Sequence, residues 1–302
     1  MAAIPPKPSH SYNQPGQSSD VSWRDQQQRI REWEEEYGAD HKRLTEALGG
    51  IDAIENRFDS VGREGLPEAY LLGFSTKGDG RAIIANGNPD EADHTSVYVP
   101  GTGASLPSVG GDITRMNSLW RTADAMTEGE NVSTILWVGY DAPDDPKLNS
   151  PFPHYAHDGA AAFSNFTEGI KEANTAESGG HHTAIGHSYG TTVIGATARM
   201  HVLYVDDVIF AGSPGVEVSH ATEMDVPIGH VWNQEAEGDW VPEIGRFSHG
   251  GGFVVPSDVF FGAKQMTTDT QGHSNYWQYE SESLRNQAAV VTGNYGEVSL
   301  EE

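Results

Sequence analysis

The spacing of hydrophobic positions changes at about residue 70. Before this point, apolar and aromatic residues recur at helical intervals, while Arg, Glu and Lys fill the other face. The recurring residues are Ile30, Trp33, Tyr37, Leu44 and Leu48. This pattern predicts a helix that begins near Trp23, is capped by Ser19 or Ser22, and ends at Gly49 and Gly50.

The region before residue 61 divides into two predicted parts. Residues 1–19 are rich in Pro, Ser and Gln and predict a disordered tail. Residues 20–60 form a helical segment with one apolar face. That face predicts either docking on the body of the protein or packing against a helical partner.

Beyond residue 70, short apolar runs alternate with helical patterns. The predicted strands are residues 70–74, 81–86, 96–99, 133–140, 182–186, 207–211, 229–232 and 252–255. Helical patterns over 112–126, 157–174 and 191–204 separate the later runs. Apolar strands separated by helices predict a mostly parallel, doubly wound sheet. The first two runs are too close for a crossover helix and predict an antiparallel hairpin at the sheet edge.

This layout is typical of the α/β-hydrolase fold, in the class of α/β proteins. We expect a catalytic domain over residues 61–290 and a C-terminal tail over 291–302. The segment from Ala211 to Gly229 and the Pro-rich segment 141–156 are both short. They predict an open cleft without a large cap domain, which leaves the N-terminal helix as the only element that could cover it.

Composition indicates an acidic globular protein. Apolar residues make up 36% of the chain and charged residues 21%, and the net charge is −26. Such a surface repels phosphates, so nucleic acid is an unfavourable partner. No apolar stretch approaches the ~20 residues of a transmembrane helix, and Met1 to Gln17 have no apolar core. We expect a soluble protein, cytoplasmic or exported without a Sec-type signal peptide.

The strongest chemical signal is the stretch Gly186-His187-Ser188-Tyr189-Gly190, between an apolar strand and a helix of small residues. In this context G-x-S-x-G predicts a sharp strand-to-helix turn that presents a serine hydroxyl at the end of a sheet. Glycine is needed on both sides because a Cβ atom there would collide with the neighbouring strand and helix. Ser188 is therefore the candidate nucleophile.

A second serine, Ser213, also follows a predicted strand, in the sequence Ala-Gly-Ser-Pro-Gly. The first position is Ala rather than Gly, and Pro214 has no N–H to offer an oxyanion. We interpret this stretch as a turn.

A serine nucleophile needs a base, and in this fold the partners follow in the order Ser, acid, His. The chain has 13 histidines, so position must decide between them. His273 follows the last predicted strand and opens a predicted final helix, which favours it as the base. His249, in a glycine-rich turn, is the alternative.

The candidate acid lies in an acidic loop that follows the strand at residues 229–232. Asp239 has a glycine before it and a turn-forming Val-Pro after it, which suits a carboxylate held on a tight turn. Glu235 and Glu237 in the same loop are the alternatives.

An oxyanion hole requires two N–H groups. One is expected from Tyr189, next to the nucleophile, and the other from Thr102 or Gly103 in a glycine-rich turn after the third strand. His187, Tyr140 and Asp141 are expected to line the substrate cleft.

No cofactor is expected. Asp141, Asp144 and Asp145 stand in a Pro-rich loop whose spacing gives no regular ligand geometry, so no metal site is predicted.

With these motifs, residues 66–289 resemble the actinobacterial α/β-hydrolase family formerly described as a domain of unknown function, related to cutinase-like esterases. Four stretches carry the resemblance: the elbow Gly-His-Ser-Tyr-Gly, the Pro-Gly-Thr-Gly turn at 100–103, Trp-Val-Gly-Tyr-Asp-Ala-Pro at 137–143 and Ala-Gly-Ser-Pro-Gly at 211–215. It implies Ser188 as nucleophile, with Asp239 and His273 as acid and base.

The expected function is that of a serine esterase acting on a small-molecule or lipid-like ester through an acyl-enzyme. Two alternatives stay open: an amidase or peptidase with the same triad, and a catalytically silent interaction scaffold.

Overall fold

The computed structural model describes residues 23–145, 150–250 and 252–302. The predicted tail over 1–19 and the candidate capping residues Ser19 and Ser22 lie outside these ranges. The helices are α1 (Trp23–Phe58), α2 (Val109–Asp124), α3 (His154–Ala173), α4 (Tyr189–Met200), α5 (Val241–Gly245) and α6 (Glu282–Val291). The strands are β1 (Ala69–Ser75), β2 (Arg81–Asn86), β3 (His94–Val99), β4 (Val132–Val138), β5 (His181–His187), β6 (Asp207–Ala211), β7 (Val231–Gln234) and β8 (Lys264–Gln265).

All eight strands form one sheet in the order β1-β2-β4-β3-β5-β6-β7-β8. β1 and β2 pair antiparallel, as the sequence predicts, and β2 also pairs antiparallel with β4. All pairs from β4 to β8 are parallel. Every residue of β4 and β6 is buried, as expected for central strands covered on both faces. The chain has the predicted α/β-hydrolase fold.

The helices cover the two faces of the sheet in pairs. The chain moves toward β1 through α2 and toward β8 through α3 and α4, so right-handed crossovers place α2 on one face and the other two on the opposite face. The contacts agree, because α2 packs with α6 and α3 packs with α4. Within the described residues, no helix is long and apolar enough to span a membrane.

Helix α1 does not end at Gly49 and Gly50 as predicted. It continues to Phe58 and packs against α2 and β1. Gly50 marks a close approach instead, since a Cβ atom there would lie 1.9 Å from the carbonyl oxygen of Leu106. The prediction is wrong because a glycine required by packing looks the same in sequence as one that ends a helix.

The region after β7 also differs from the prediction. Within the predicted strand 252–255, Gly252 and Phe253 form a turn with positive φ, and the last strand is the two-residue β8. The final helix, α6, begins at Glu282, so His273 lies in the loop before it rather than at its start. The segment between β6 and β7 holds only the 3-10 helix Ala221–Glu223, and no large cap domain interrupts the sheet in the described part of the chain.

Residues 291–302, predicted as a C-terminal tail, lie along the body. Met266 bridges to Leu300, and the Tyr295 hydroxyl donates to Asp207 at 2.6 Å.

Candidate active site

The turn between β5 and α4 forces Ser188 into an unusual backbone conformation, with φ 53° and ψ −129°. A non-glycine residue holds such angles only where its surroundings enforce them. A Cβ atom on Gly186 would lie 2.7 Å from Thr191 Cα in α4, and one on Gly190 would lie 2.0 Å from the Val99 carbonyl oxygen in β3. The collisions that explain the two glycines are therefore those with the following helix and the neighbouring strand.

Asp239 and His273 form a hydrogen-bonded pair beside this turn. His273 Nδ1 lies 3.0 and 2.9 Å from the two carboxylate oxygens of Asp239. The carboxylate also accepts the Tyr276 hydroxyl at 2.6 Å and the Val241 N–H at 3.0 Å. Burial raises the pKa of Asp239, but these donors outweigh it and hold the pKa below its usual value. An ionised Asp239 accepts a hydrogen bond, so His273 carries a proton on Nδ1, and Nε2 is the nitrogen that faces away from the carboxylate.

Ser188 and His273 line one cavity of about 780 Å³. Among the described residues, no hydrogen bond joins the serine hydroxyl to the imidazole in this structure. Catalytic contacts of this kind are often long in a free enzyme and shorten when substrate binds.

His187, predicted to line the cleft, also lines this cavity. Its Nε2–H donates to the carbonyl oxygen of His273 at 2.6 Å, and the two rings lie 4.7 Å apart. Burial, with the nearby His273 and Arg115, lowers the pKa of His187 to about 3. A neutral His187 therefore anchors the backbone of the candidate base.

The turn after β3 approaches the nucleophile closely. A Cβ atom on Gly101 would lie 2.7 Å from Ser188 Cβ and 3.0 Å from the Tyr189 nitrogen. The Gly103 N–H donates to the Pro143 carbonyl at 2.8 Å, so it is not free to bind an oxyanion. In the described part of the chain, neither Thr102 nor Tyr189 donates its N–H to a protein acceptor. Tyr189 begins α4, where an N–H has no partner within the helix.

Tyr140 and Asp141 do not belong to the cavity lining, contrary to the prediction. Tyr140 is buried, stacks on Trp137, and donates its hydroxyl to the Pro100 carbonyl at 2.8 Å. Asp141 is exposed. Tyr140 therefore binds the turn after β3 through its hydroxyl group, while Asp141 lies outside the cleft.

The alternative base and acids occupy other positions. His249 lines the cavity, but its Nε2–H donates to the Ser150 carbonyl, and in the described residues no carboxylate accepts a hydrogen bond from it. Burial lowers the pKa of His249. Burial raises the pKa of Glu235, and Glu237 accepts a hydrogen bond from Gln271 at 3.1 Å. The hydrogen-bonded partner of His273 is Asp239.

The second serine stretch is a turn, as interpreted from the sequence. Ser213 is buried, pairs with the Thr191 hydroxyl at 2.7 Å and accepts the Gly215 N–H at 3.1 Å. Among the described residues, no group of three or more His, Asp or Glu side chains is placed to hold a metal ion.

Sequence reasoning missed two contributors to the site. Tyr276, which binds the candidate acid, stands three residues after His273, and that short spacing in one loop is the only signal for it. Arg115 lines the cavity from α2, pairs with Asp112 at 2.8 Å, and lies over the Trp277 ring at 5.5 Å. Nothing in the helical pattern distinguishes Arg115 from a surface arginine.

Comparison with known proteins agrees with the fold. Residues 76–249 match a family model described as alpha/beta hydrolase. The uncharacterized protein Rv0963c of Mycobacterium tuberculosis is 32% identical over 218 residues, which cover 68% of this chain and 79% of that protein. The chain therefore belongs to this alpha/beta hydrolase family, and the predicted resemblance to an actinobacterial family is confirmed.

Two further similarities are more distant. The uncharacterized protein Rv2079 of Mycobacterium tuberculosis is 28% identical over 74% of this chain, which spans only 39% of that protein's length. A hyperthermophilic esterase from the archaeon Pyrobaculum calidifontis aligns with a TM-score of 0.49 and 12% identity, over 84% of this chain and 93% of that chain.

Proposed function

We propose that this protein is a serine esterase that cleaves a carboxylic ester through an acyl-enzyme. The observation that carries the proposal is the arrangement at one cavity: a strained serine on an elbow, and a histidine whose Nδ1 is bonded to a buried carboxylate. Ser188 is the nucleophile, His273 the base and Asp239 the acid.

In the first step, Ser188 Oγ attacks the ester carbonyl carbon while His273 Nε2 takes the hydroxyl proton. The negative charge that develops on the carbonyl oxygen is stabilised by the N–H groups of Tyr189 and Thr102. His273 then gives its proton to the departing alcohol oxygen. Asp239 stabilises the imidazolium throughout.

In the second step, a water molecule attacks the acyl-enzyme carbonyl. His273 takes a proton from the water and returns it to Ser188 Oγ, which releases the carboxylic acid and restores the free enzyme. No step requires a redox partner or a group from outside the chain other than water.

The cavity supports an ester with an apolar portion. Part of its lining is apolar, and those residues are Pro151, Pro214, Trp240, Val241 and Ile244. Another part is polar, and includes Ser108, Asp112 and Arg115. An acyl chain suits the apolar part, since burying each CH₂ group contributes about 0.8 kcal/mol.

The test is turnover of a series of p-nitrophenyl esters of varied acyl length, beside the matching p-nitroanilides. We expect ester cleavage that Ser188→Ala abolishes, with kcat/KM rising with chain length while the acyl chain fits the cavity. Faster cleavage of the anilides would make the protein an amidase. No turnover of either series by the wild type, together with no covalent labelling, would favour a silent scaffold.

A further inference from the structure

Four large apolar side chains are exposed together around α5. Trp240 and Ile244 are more than half exposed, and Phe247 and Phe253 are 75% and 63% exposed. Trp240, Ile244 and Phe247 follow each other at helical spacing, and the rings of Phe247 and Phe253 lie 6.1 Å apart. We call these four residues the α5 patch. Large apolar side chains exposed in such a group are typical of interaction sites.

The patch faces outward because the other side of α5 is already packed. A Cβ atom on Gly245 would lie 2.2 Å from Pro214 Cβ, so the helix backbone sits directly on the turn after β6. Pro242 is buried as well. Gly245 and Pro242 therefore lie on the packed side of α5, and the patch lies on the side that faces solvent.

The patch is continuous with the mouth of the cavity. Trp240 and Ile244 line the cavity, whereas Phe247 and Phe253 lie outside its lining. The helix is also tied to the candidate acid, because the Val241 N–H donates to Asp239 at 3.0 Å. A molecule adsorbed on the patch therefore lies beside the entrance to the candidate active site.

Charge limits what can adsorb there. The cation within the patch region, Arg246, is paired with Asp258 at 2.9 Å, and Glu243 is exposed on α5. The whole chain carries a net charge of −26. Anionic lipids and a second copy of this chain would both be repelled, whereas zwitterionic or uncharged lipid would not. Trp and Phe are side chains that insert readily at such an interface.

We infer that the α5 patch docks this protein on a zwitterionic or uncharged lipid surface, and that the docked cavity receives a lipid ester from that surface. The identity of the substrate rests on the proposed function, whereas the docking itself requires no catalysis. Phe247 and Phe253 insert into the surface, and Trp240 and Ile244 connect it to the cavity.

The test is flotation of the full chain with phosphatidylcholine vesicles, comparing the wild type with Phe247→Ser/Phe253→Ser. The matched control is Leu44→Ser/Leu48→Ser, which removes two side chains that are about half exposed on α1. We expect the α5 double variant to lower the partition coefficient about tenfold or more, since two large apolar side chains stay in water. We expect the control to bind like the wild type, and both variants to cleave a short soluble ester at the wild-type rate.

Three outcomes would overturn the inference. They are no flotation of the wild type, flotation that appears only when anionic lipid is added, and concentration-dependent dimers of the wild type that the α5 double variant abolishes. Flotation is measured without turnover. Vesicle binding without ester cleavage would therefore contradict the proposed function but still support the docking surface.

Discussion

Two buried aspartates accept hydrogen bonds from histidines. They lie at opposite ends of the parallel strands, one at the carboxyl ends and one at the amino ends, which we call the carboxyl edge and the amino edge of the sheet. Asp239 follows β7 at the carboxyl edge and binds His273, whereas Asp207 begins β6 at the amino edge and binds His181 at 2.8 Å and His230 at 3.0 Å. Asp207 also accepts from Trp232 at 2.7 Å and Tyr295 at 2.6 Å. Both carboxylates are fully buried.

The two pairs differ in the hydrogen bonding of the second ring nitrogen of the histidine. Both nitrogens of His181 face acceptors, since Nδ1 lies 2.9 Å from the Val291 carbonyl and Nε2 faces Asp207. Burial lowers the pKa of His181, but these acceptors outweigh it and raise the pKa above its ordinary value. Nε2 of His273 has no hydrogen-bond partner among the described residues, and the ring lies in a cavity with a strained serine. A histidine–aspartate pair thus becomes a candidate catalytic pair only where one nitrogen is free beside a nucleophile.

The largest effect is expected at the nucleophile. Ser188→Ala should lower kcat for ester cleavage by about 10⁴-fold or more and leave the fold intact, because only the attacking oxygen is removed. Steady-state kinetics measures kcat, and circular dichroism tests whether the fold is intact. Ser213→Ala, which removes the structural serine of the next turn, is the matched control and should retain turnover. Equal losses in both variants would mean that Ser188 has no special role.

His273→Ala should be nearly as damaging, since the serine hydroxyl is a poor nucleophile without its base. His249→Ala removes the other cavity histidine and should retain turnover within about tenfold, because no carboxylate among the described residues accepts a hydrogen bond from His249. The kcat values of both variants, measured at the same pH, show which of the two histidines is the base. An inactive His249→Ala beside an active His273→Ala would make His249 the base.

Asp239→Asn should leave more residual activity than His273→Ala, by roughly 10- to 100-fold in kcat, because the acid orients the base without touching substrate. The same substitution at the opposite edge, Asp207→Asn, should leave kcat unchanged. Loss of turnover in Asp207→Asn at temperatures where the variant stays folded would show that the Asp207 cluster affects the candidate catalytic pair at the other end of the strands.

We expect Asp207→Asn to lower the free energy of unfolding by about 3 kcal/mol, because it removes the buried carboxylate charge to which His181 and His230 are bound. Denaturant unfolding across pH measures it. The pKa of Asp207 is lowered despite burial, by its hydrogen bonds from His181, Tyr295, Trp232 and His230, so its contribution is lost only at strongly acidic pH. The raised pKa of His181 gives a contribution that is present below about 6.5 and declines as pH rises through its folded pKa. The difference from wild type should therefore be largest near pH 5, and a difference that grows above pH 8 would contradict this account.

The smallest effect is expected for Tyr295→Phe, about 1 kcal/mol of unfolding free energy, since one hydrogen bond to Asp207 is removed and the ring stays. Tyr279→Phe, a substitution at an exposed tyrosine, is the control and should be neutral. Equal stabilities of the two variants would mean that the C-terminal segment is held by other contacts.

Much of the fold could be predicted because strands buried on both faces read as continuous apolar runs. The elbow was predictable for a related reason: its glycines are dictated by collisions with β3 and α4. β8 could not be predicted, since two residues carry no periodicity. Gly50 and Tyr140 were misread because their roles depend on neighbours, Leu106 and Pro100, that are distant in sequence.

We propose Ser188 as the activated nucleophile at the carboxyl ends of the parallel strands. The most direct measurement is the intact mass of the protein after treatment with a fluorophosphonate, followed by peptide mapping of the adduct. We predict one adduct per chain, on Ser188, absent from Ser188→Ala, greatly slowed in His273→Ala and unchanged in Asp207→Asn. An unlabelled wild type, or an adduct that persists in Ser188→Ala, would contradict the account.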